Sequence, residues 1–497
     1  MPAFPIRGIA IVGGGASAWM AAATLSRVLG ASCPVRVIET PLEAPPAIAS
    51  MPSLHRLFRL LGIDEAAVMR ATSATYRVGV EHRDWAVIGD RYFQGFGAVG
   101  SPLLSAPFHH HWLRASAAGD CASFEDFSTA ALMARLGRFA PPQREPHSIL
   151  PAHSYAWHFD ARALTASLRA AALRSGATTL RGEVAALELG SRGDIEALRL
   201  IDGMRVEAGL FVDCSGARAT LAGLLGATYE DWSEWLPCDR VSWIRCAGAE
   251  DLPPYSEAFA TAHGWRFGIP LQNGGARGEV WSSEHADEDS VTAGLSTLPG
   301  ADASSIGTAR LMRGRPKEFW LRNCVLMPGD ALDPLEGSAL HLAQSGVTRL
   351  LAHFPVNESS APDRGEYNRL TTEEYDRVRD LLALHYHATT RDDSPFWRRR
   401  RDARPPASLA SRLALFIDSA RLAIAEDDHC GQDGWLSVLF GQRVMPRSFD
   451  PLVESAPLDS LQRSLSVFAA RIRDAVGKLP TQREFLERRG VTAGGMK

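Results

Sequence analysis

"IAIVGGGASAW", Ile9 to Trp19, runs four apolar residues into three glycines and then into alanine, serine and tryptophan. A short apolar run stopped by glycine reads as a buried strand, and the "ASAWMAAATLSRVLG" that follows reads as a helix. Gly13, Gly15 and Ala18 fall at G-x-G-x-x-A spacing. That pattern supplies a tight turn, a bare backbone where a pyrophosphate comes close, and a small residue where helix meets strand. The helix N-terminus then turns its partial positive charge toward the phosphates. Working outward, "CPVRVIET" reads as the next strand and ends in Glu39, near the roughly 20-residue spacing at which a carboxylate takes the ribose hydroxyls. The plain alternatives are a glycine-rich strand end with no ligand and an ordinary solvated glutamate.

The rest of the chain narrows the class. Its 497 residues, 45% hydrophobic and 22% charged, hold core for more than one lobe. A net charge of -4 gives no basic surplus for nucleic acid or an anionic membrane. Seven scattered cysteines, Cys33, Cys121, Cys214, Cys238, Cys246, Cys324 and Cys430, form no CxxC pair and no metal-ligand spacing, and read as buried thiols of a reducing cytoplasm. No secretory signal and no apolar run of about 18 residues is evident. The histidines His109, His110 and His111 point in different directions along a helix or loop, so no metal is expected. No G-x-S-x-G elbow marks a hydrolase.

Later strands return to the same site. "EAGLFVDCSG" closes with Asp213, Cys214, Ser215 and Gly216, and "NCVLMPGDALDPLEG" carries Asp330 and Glu336. Such returns suit FAD, which extends across its domain, better than NAD.

Eleven segments in order resemble the flavin-dependent tryptophan halogenase family. Besides the opening stretch they are "LLGIDEAAVMRATSATYRVGVEHRDW", "YFQGFG", "FHHHWLR", "YAWHFDARAL", "LFVDCSG", "DWSEWLPCDR", "GWRFGIPLQNG", "NCVLMPGDALDPLEGSALHL", "LALHYHATTRDDSPFW" and "VLFGQRVMPRSFDP". The resemblance implies an α/β fold of the GR2 type, with a Rossmann-like FAD-binding body, a mixed sheet and a C-terminal helical lobe. The body is expected over residues 1–100 and 150–355, an irregular insertion over the substrate pocket at 101–149, and the helical lobe at 356–497. The implied chemistry uses FAD reduced by a separate flavin reductase, with oxygen and chloride or bromide, to make hypohalous acid that halogenates an aromatic, indole-like molecule. A homodimer is left open.

Carried over residue by residue, the family's Glu-Pro-Leu-Glu-Ser-Thr segment places its catalytic glutamate at Glu336, and the family lysine falls at Arg77. Cofactor contacts are implied at Gly13, Gly15, Ala18, Trp19, Glu39, Ser50, Asp213, Gly216 and Asp330. Backbone amides of Ser338 and Ala339 would hold the halide. The flavin-proximal Trp-x-Trp-x-Ile-Pro becomes Trp265, Phe267, Ile269 and Pro270, and the substrate wall becomes Gln94 and Phe96. The strap Gly-Glu-Ala-Thr becomes Ala47, Ile48, Ala49 and Ser50. These departures, arginine for lysine above all, keep two rival readings open: a flavin monooxygenase or oxidase without halogenation, and a non-catalytic relative acting as a binding protein.

Overall fold

Ile9–Val12 lies inside a six-stranded sheet whose order is Trp320–Leu321, Cys324–Leu326, Leu210–Asp213, Ile9–Val12, Val35–Glu39, Thr178–Arg181. All neighbours are parallel except the edge strand Trp320–Leu321. In this computed structural model, residues 6–41, 45–101, 106–119, 121–142, 151–248, 251–329, 332–355 and 361–492 are described. The expected Asp330 lies outside them.

The two central strands Ile9–Val12 and Leu210–Asp213 are buried at every position, as strands covered on both faces are, whereas the edge strand Thr178–Arg181 is largely exposed. The helix Ala16–Leu29 buries eleven of its fourteen residues, so it is a core helix rather than an amphipathic one. Its alanines let the helices Ala161–Arg174 and Ala339–Ala352 pack against it.

A second sheet has seven strands in the order Ala301–Arg310, Arg240–Cys246, Gly274–Trp281, Gly264–Leu271, Ser256–Ala260, Gly79–Arg83, Arg91–Gly95. It is antiparallel apart from the parallel pair Ser256–Ala260 with Gly79–Arg83. Strand alternation puts Trp265, Phe267 and Ile269 on one face and Arg266 and Gly268 on the other. A small third sheet joins Ala47–Ala49 and Thr75–Arg77 to the two ends of Ala156–Asp160. The strap strand and the strand that carries Arg77 flank its central strand on opposite edges.

From residue 361 onward the described chain is helical, beginning with the 27-residue helix Ala361–His387. The stretch 101–149, read as irregular, contains two helices in its described part, Phe108–Ala117 and Thr129–Arg135. Proline and histidine content hid them, whereas Phe108, Trp112 and Leu113 turn into the core. His109 bonds the Ala420 carbonyl at 2.9 Å, and His110 accepts the Asp450 amide at 3.1 Å, so these rings tie that helix to the C-terminal segments. No helix among the described residues is long and apolar enough to cross a membrane.

Candidate active site

The opening glycines do steric work. Gly13 has φ +153°, and a Cβ there would lie 2.5 Å from the Cys214 carbonyl oxygen; a Cβ on Gly14 would drive into the Thr40 carbonyl. Three strand ends therefore meet at bare backbone. Gly15 caps the 14-residue helix Ala16–Leu29 with no side-chain cap, which leaves its first N–H groups facing outward, as a pyrophosphate requires. Ala18 is fully buried, and Trp19, also buried, lies 5.3 Å beneath the Arg169 guanidinium.

Glu39 accepts from Arg169 and Thr179, and every one of those bonds ends on Oε1. Oε2 remains for ribose hydroxyls. Burial opposes its ionisation, but Thr179 and Arg169 outweigh burial and hold the carboxyl below its usual value. Gly216 sits at a left-handed φ of +63° in the turn beyond the third strand. These groups fit a dinucleotide such as FAD.

Two expected contacts are instead structural. Asp213 takes four bonds, from the Ser215 amide and hydroxyl on Oδ1 and from the Leu221 and Ala222 amides on Oδ2. Its carboxylate caps the following helix Thr220–Leu224 and has nothing left for a cofactor. Ser50 is fully buried, its hydroxyl donating to the Trp157 carbonyl at 2.8 Å and accepting the Trp157 amide at 3.0 Å.

The strap and the substituted lysine meet through Ser50. Arg77 Nη1 donates to the Ser50 carbonyl at 2.7 Å and reaches the Glu336 carbonyl at 3.5 Å, with Nη2 at 3.4 Å. Arg77 is wholly buried, stands 5.0 Å from the Phe96 ring centroid, and keeps an Nε–H without a partner among the described residues. Burial pulls its guanidinium down to about 10, against the opposing pull of Glu336 and Cys430. It is still cationic at neutral pH. Gly337 turns the chain beside it at φ +68°, and a Cβ there would be 3.0 Å from Arg77 Nη1.

Glu336 itself is buried with both oxygens bonded: Oε1 to His385 Nε2 at 2.8 Å and Oε2 to Gln94 Nε2 at 3.1 Å. Burial alone would raise its pKa. The His385 hydrogen bond and the electrostatic pull of His385, His429 and Arg77 more than offset that and hold it below the usual glutamate value. Gln94 also bonds Cys430 Sγ at 2.9 Å and His82 Nε2 at 3.2 Å. Burial keeps the Cys430 thiol protonated and His82 neutral. Arg77, Gln94, Phe96 and Glu336 are thus brought together from three separate segments.

The donor atoms of His82, Glu336 and His385 lie within 4.8 Å of one another. The two imidazoles are stacked, with centroids 4.7 Å apart and planes 24° from parallel. Ring lone pairs lie in the ring planes, so near-parallel rings aim past a shared ion, and both Nε2 atoms already bond a neighbour. The trio reads as a hydrogen-bonded cluster.

Trp265 is buried, 6.1 Å from Phe267 and 6.2 Å from Trp85, which in turn lies 5.6 Å from His385. The Pro270 carbonyl accepts from Thr75. The motif strand thereby packs onto the Glu336 cluster through aromatic rings. Ser338 caps the helix Ala339–Ala352 without a side-chain bond, so the amides of its first turn are free of intrahelical acceptors. A surface cleft of about 370 Å³ on the seven-stranded sheet is lined by Arg83, Glu257, Arg266 and Arg277 together with Phe267 of the motif strand; Arg77, Gln94, Glu336 and His385 do not line it.

The family model for tryptophan halogenase matches residues 8–458. The chain belongs to the tryptophan halogenase family. It is 30% identical to the tryptophan 6-halogenase ThaL of Streptomyces albogriseolus, over 83% of this chain and 82% of that one. It is 28% identical to the tryptophan 7-halogenase KtzQ of Kutzneria sp. (strain 744), over 97% and 98%. Among solved structures, BrvH, a flavin-dependent halogenase from Brevundimonas sp. BAL3, superposes with a TM-score of 0.92 at 33% identity, over 97% of this chain and 99% of that one. Xcc4156, a flavin-dependent halogenase from Xanthomonas campestris, gives 0.91 at 35% identity, over 97% and 98%.

Tryptophan halogenase family membership carries FAD and halide as co-reactants and an aromatic substrate. Sequence reasoning missed His82, Tyr92, His385, His429 and Cys430 around Glu336. The family segments contain His82, Tyr92 and His385, but the resemblance assigned none of the three a part in the site. Asp333 was missed too: buried, it accepts from Tyr386 at 2.6 Å and from the Leu335 amide, and burial lifts its pKa.

Proposed function

We propose that this protein halogenates an indole-like aromatic ring, with Glu336 accepting the ring proton and Arg77 orienting the oxidised halogen. The observation that carries this is a buried carboxylate, bonded by His385 and Gln94, set beside the buried Arg77 and the Phe96 ring. FAD, held at Gly13, Gly15, Ala18 and Glu39 and reduced by a partner reductase, would supply hypohalous acid from oxygen and chloride or bromide. The amides of Ser338 and Ala339, at a helix N-terminus, suit the halide.

In the substrate site the balance is ArH + HOX → ArX + H₂O. The Arg77 Nε–H would donate to the oxygen of HOX, which leaves as hydroxide while the ring takes the halogen; the ring proton collected by Glu336 then passes to that hydroxide to give water. Arginine stays charged and so acts by hydrogen bonding rather than by forming a haloamine. Each Glu336 oxygen has one lone pair beyond its existing bond, and that lone pair accepts the proton lost from the ring. Phe96 offers a face for the flat substrate. The free cysteines support a cytoplasmic setting, and a homodimer belongs to the same reading.

The test is an assay with a flavin reductase, NADH, FAD, bromide and a panel of indoles and phenols, read by mass spectrometry. A monobrominated product that disappears in Glu336→Gln supports the reading. A hydroxylated product without bromine would favour a monooxygenase, and failure to bind FAD would leave a non-catalytic relative.

A further inference from the structure

Glu336 is approached by two chains of side-chain donors, and their directions can be worked out. Gln442 Nε2 lies 3.1 Å from the His385 carbonyl oxygen and 3.2 Å from Tyr92 Oη. A carbonyl only accepts, so the amide NH₂ must face it, and its second hydrogen then points at Tyr92 Oη. The Tyr92 O–H must therefore donate elsewhere, and His385 Nδ1 is 2.9 Å away. That leaves His385 with its proton on Nε2, aimed at Glu336 Oε1 at 2.8 Å.

The second chain resolves in the same way. The carboxylate Oε2 fixes the Gln94 amide with NH₂ toward Glu336, so Gln94 Oε1 accepts from His82 Nε2. Tyr92, His82, His385 and Gln442 are all buried. Both chains run inward to one carboxylate, and neither offers it a route to pass a proton outward.

We propose that His385 is a positioning residue for Glu336, locked in its Nε2–H tautomer by Gln442 and Tyr92, so that the carboxylate stays ionised and fixed in orientation while buried. This rests on the reading of Glu336 as the proton acceptor. The groups facing Glu336 are His385 from the helix Ala361–His387, Gln94 and His82 from the antiparallel strands, Arg77 from the small sheet, and His429 and Cys430 from the loop before the helix Gly431–Gly441. Of these, His385 gives the largest opposition to the burial that would otherwise protonate the glutamate.

The experiment compares His385→Leu, His385→Gln and the milder Tyr92→Phe in two readouts. One is the pH profile of kcat for bromination. Loss of one hydrogen bond to a carboxylate should move its acid limb up by about one to two pH units in His385→Leu, with KM little changed. His385→Gln, whose amide can donate to Oε1, should leave the limb near its wild-type place. Tyr92→Phe should shift it the same way as His385→Leu, but less.

The second readout needs no turnover: the difference in Tm between each protein and the same protein carrying Glu336→Gln, from pH 4 to 7. With His385 present, the folded pKa lies below the unfolded one, so the contribution of Glu336 grows as pH rises toward about 4.3 and then holds. In His385→Leu the largest opposition to burial is gone, leaving only His429, Arg77 and the Gln94 bond against it, and the contribution should instead fall as pH rises above that value. Equal behaviour of the Leu and Gln variants, or a thermal difference that keeps its wild-type sign in His385→Leu, overturns the proposal. A reversed thermal sign with an unmoved rate profile keeps the clamp and overturns Glu336 as the proton acceptor.

Discussion

Arg77→Lys is the substitution on which the chemistry turns. Burial brings the Arg77 guanidinium down to about 10, so at pH 7.5 about one side chain in three hundred is neutral. A lysine is about a hundredfold more acidic than arginine to begin with and meets the same burial. About a quarter of it would then be neutral at pH 7.5, a gain of roughly eightyfold in the form that can react with hypohalous acid. The structural loss is small. Lysine keeps the bond to the Ser50 carbonyl and gives up the longer approaches to the Glu336 carbonyl, which costs about 1 kcal/mol and lowers Tm by about 2 °C. The assay is initial bromination rate of indole with saturating reductase and FAD, beside wild type and Arg77→Gln. If the halogen is best carried on a neutral amine, Arg77→Lys should outrun wild type by one to two orders of magnitude and Arg77→Gln should be the slowest. A lysine variant no faster than wild type, with folding and FAD binding intact, refutes the argument that protonation at this position limits the rate.

Glu336→Gln should lower bromination by about 10²- to 10⁴-fold, the usual worth of a positioned base, with FAD affinity unchanged by fluorescence titration. Because Glu336 is held below the usual glutamate value, wild-type kcat should show no acid limb above about pH 4.3, and a limb near pH 6 would contradict its environment. Gly14→Ala forces a methyl against the Thr40 carbonyl and should weaken FAD binding by about 1–3 kcal/mol, measured by equilibrium dialysis. Dialysis against a chelator should leave bromination unchanged, since His82, Glu336 and His385 are engaged with one another and with Gln94; activity restored only by added zinc would reverse that view.

The nucleotide end of the fold was legible because its requirements are local. Gly13, Gly15, Ala18 and Glu39 sit within one βαβ unit, where spacing along the chain alone picks them out, although Cys214 constrains Gly13 and Arg169 and Thr179 hold Glu39 from farther along the chain. Asp213 was misread for a reason just as local: its four donors come from residues 215 to 222, and a cap on the next helix looks, as a string, like any acidic strand end. The substrate end was legible only in part. Glu336 and Arg77 stand out by motif, yet the His385 bond spans 49 positions and the Gln442 bond to Tyr92 spans 350. Such pairs exist only after the helix Ala361–His387 has packed against the seven-stranded sheet, and no periodicity encodes which ring will face which carboxylate. The helix Phe108–Ala117 was missed because three histidines and a proline mask an apolar side that becomes visible only when buried.

Gly337 makes room for the arginine. Where the family segment has serine after its glutamate, this chain has glycine, and the missing side chain is the space beside Arg77 Nη1, 3.0 Å from where a Cβ would stand. A guanidinium is larger than an ammonium, and in a sealed site volume must be released before it is filled. The bare backbone at 337 therefore leaves room for the arginine at 77, and what fits at one position depends on the residue at the other. Returning lysine alone leaves an unfilled corner beside the base, while returning serine alone sets its methylene against a charged group that cannot withdraw from the Ser50 carbonyl.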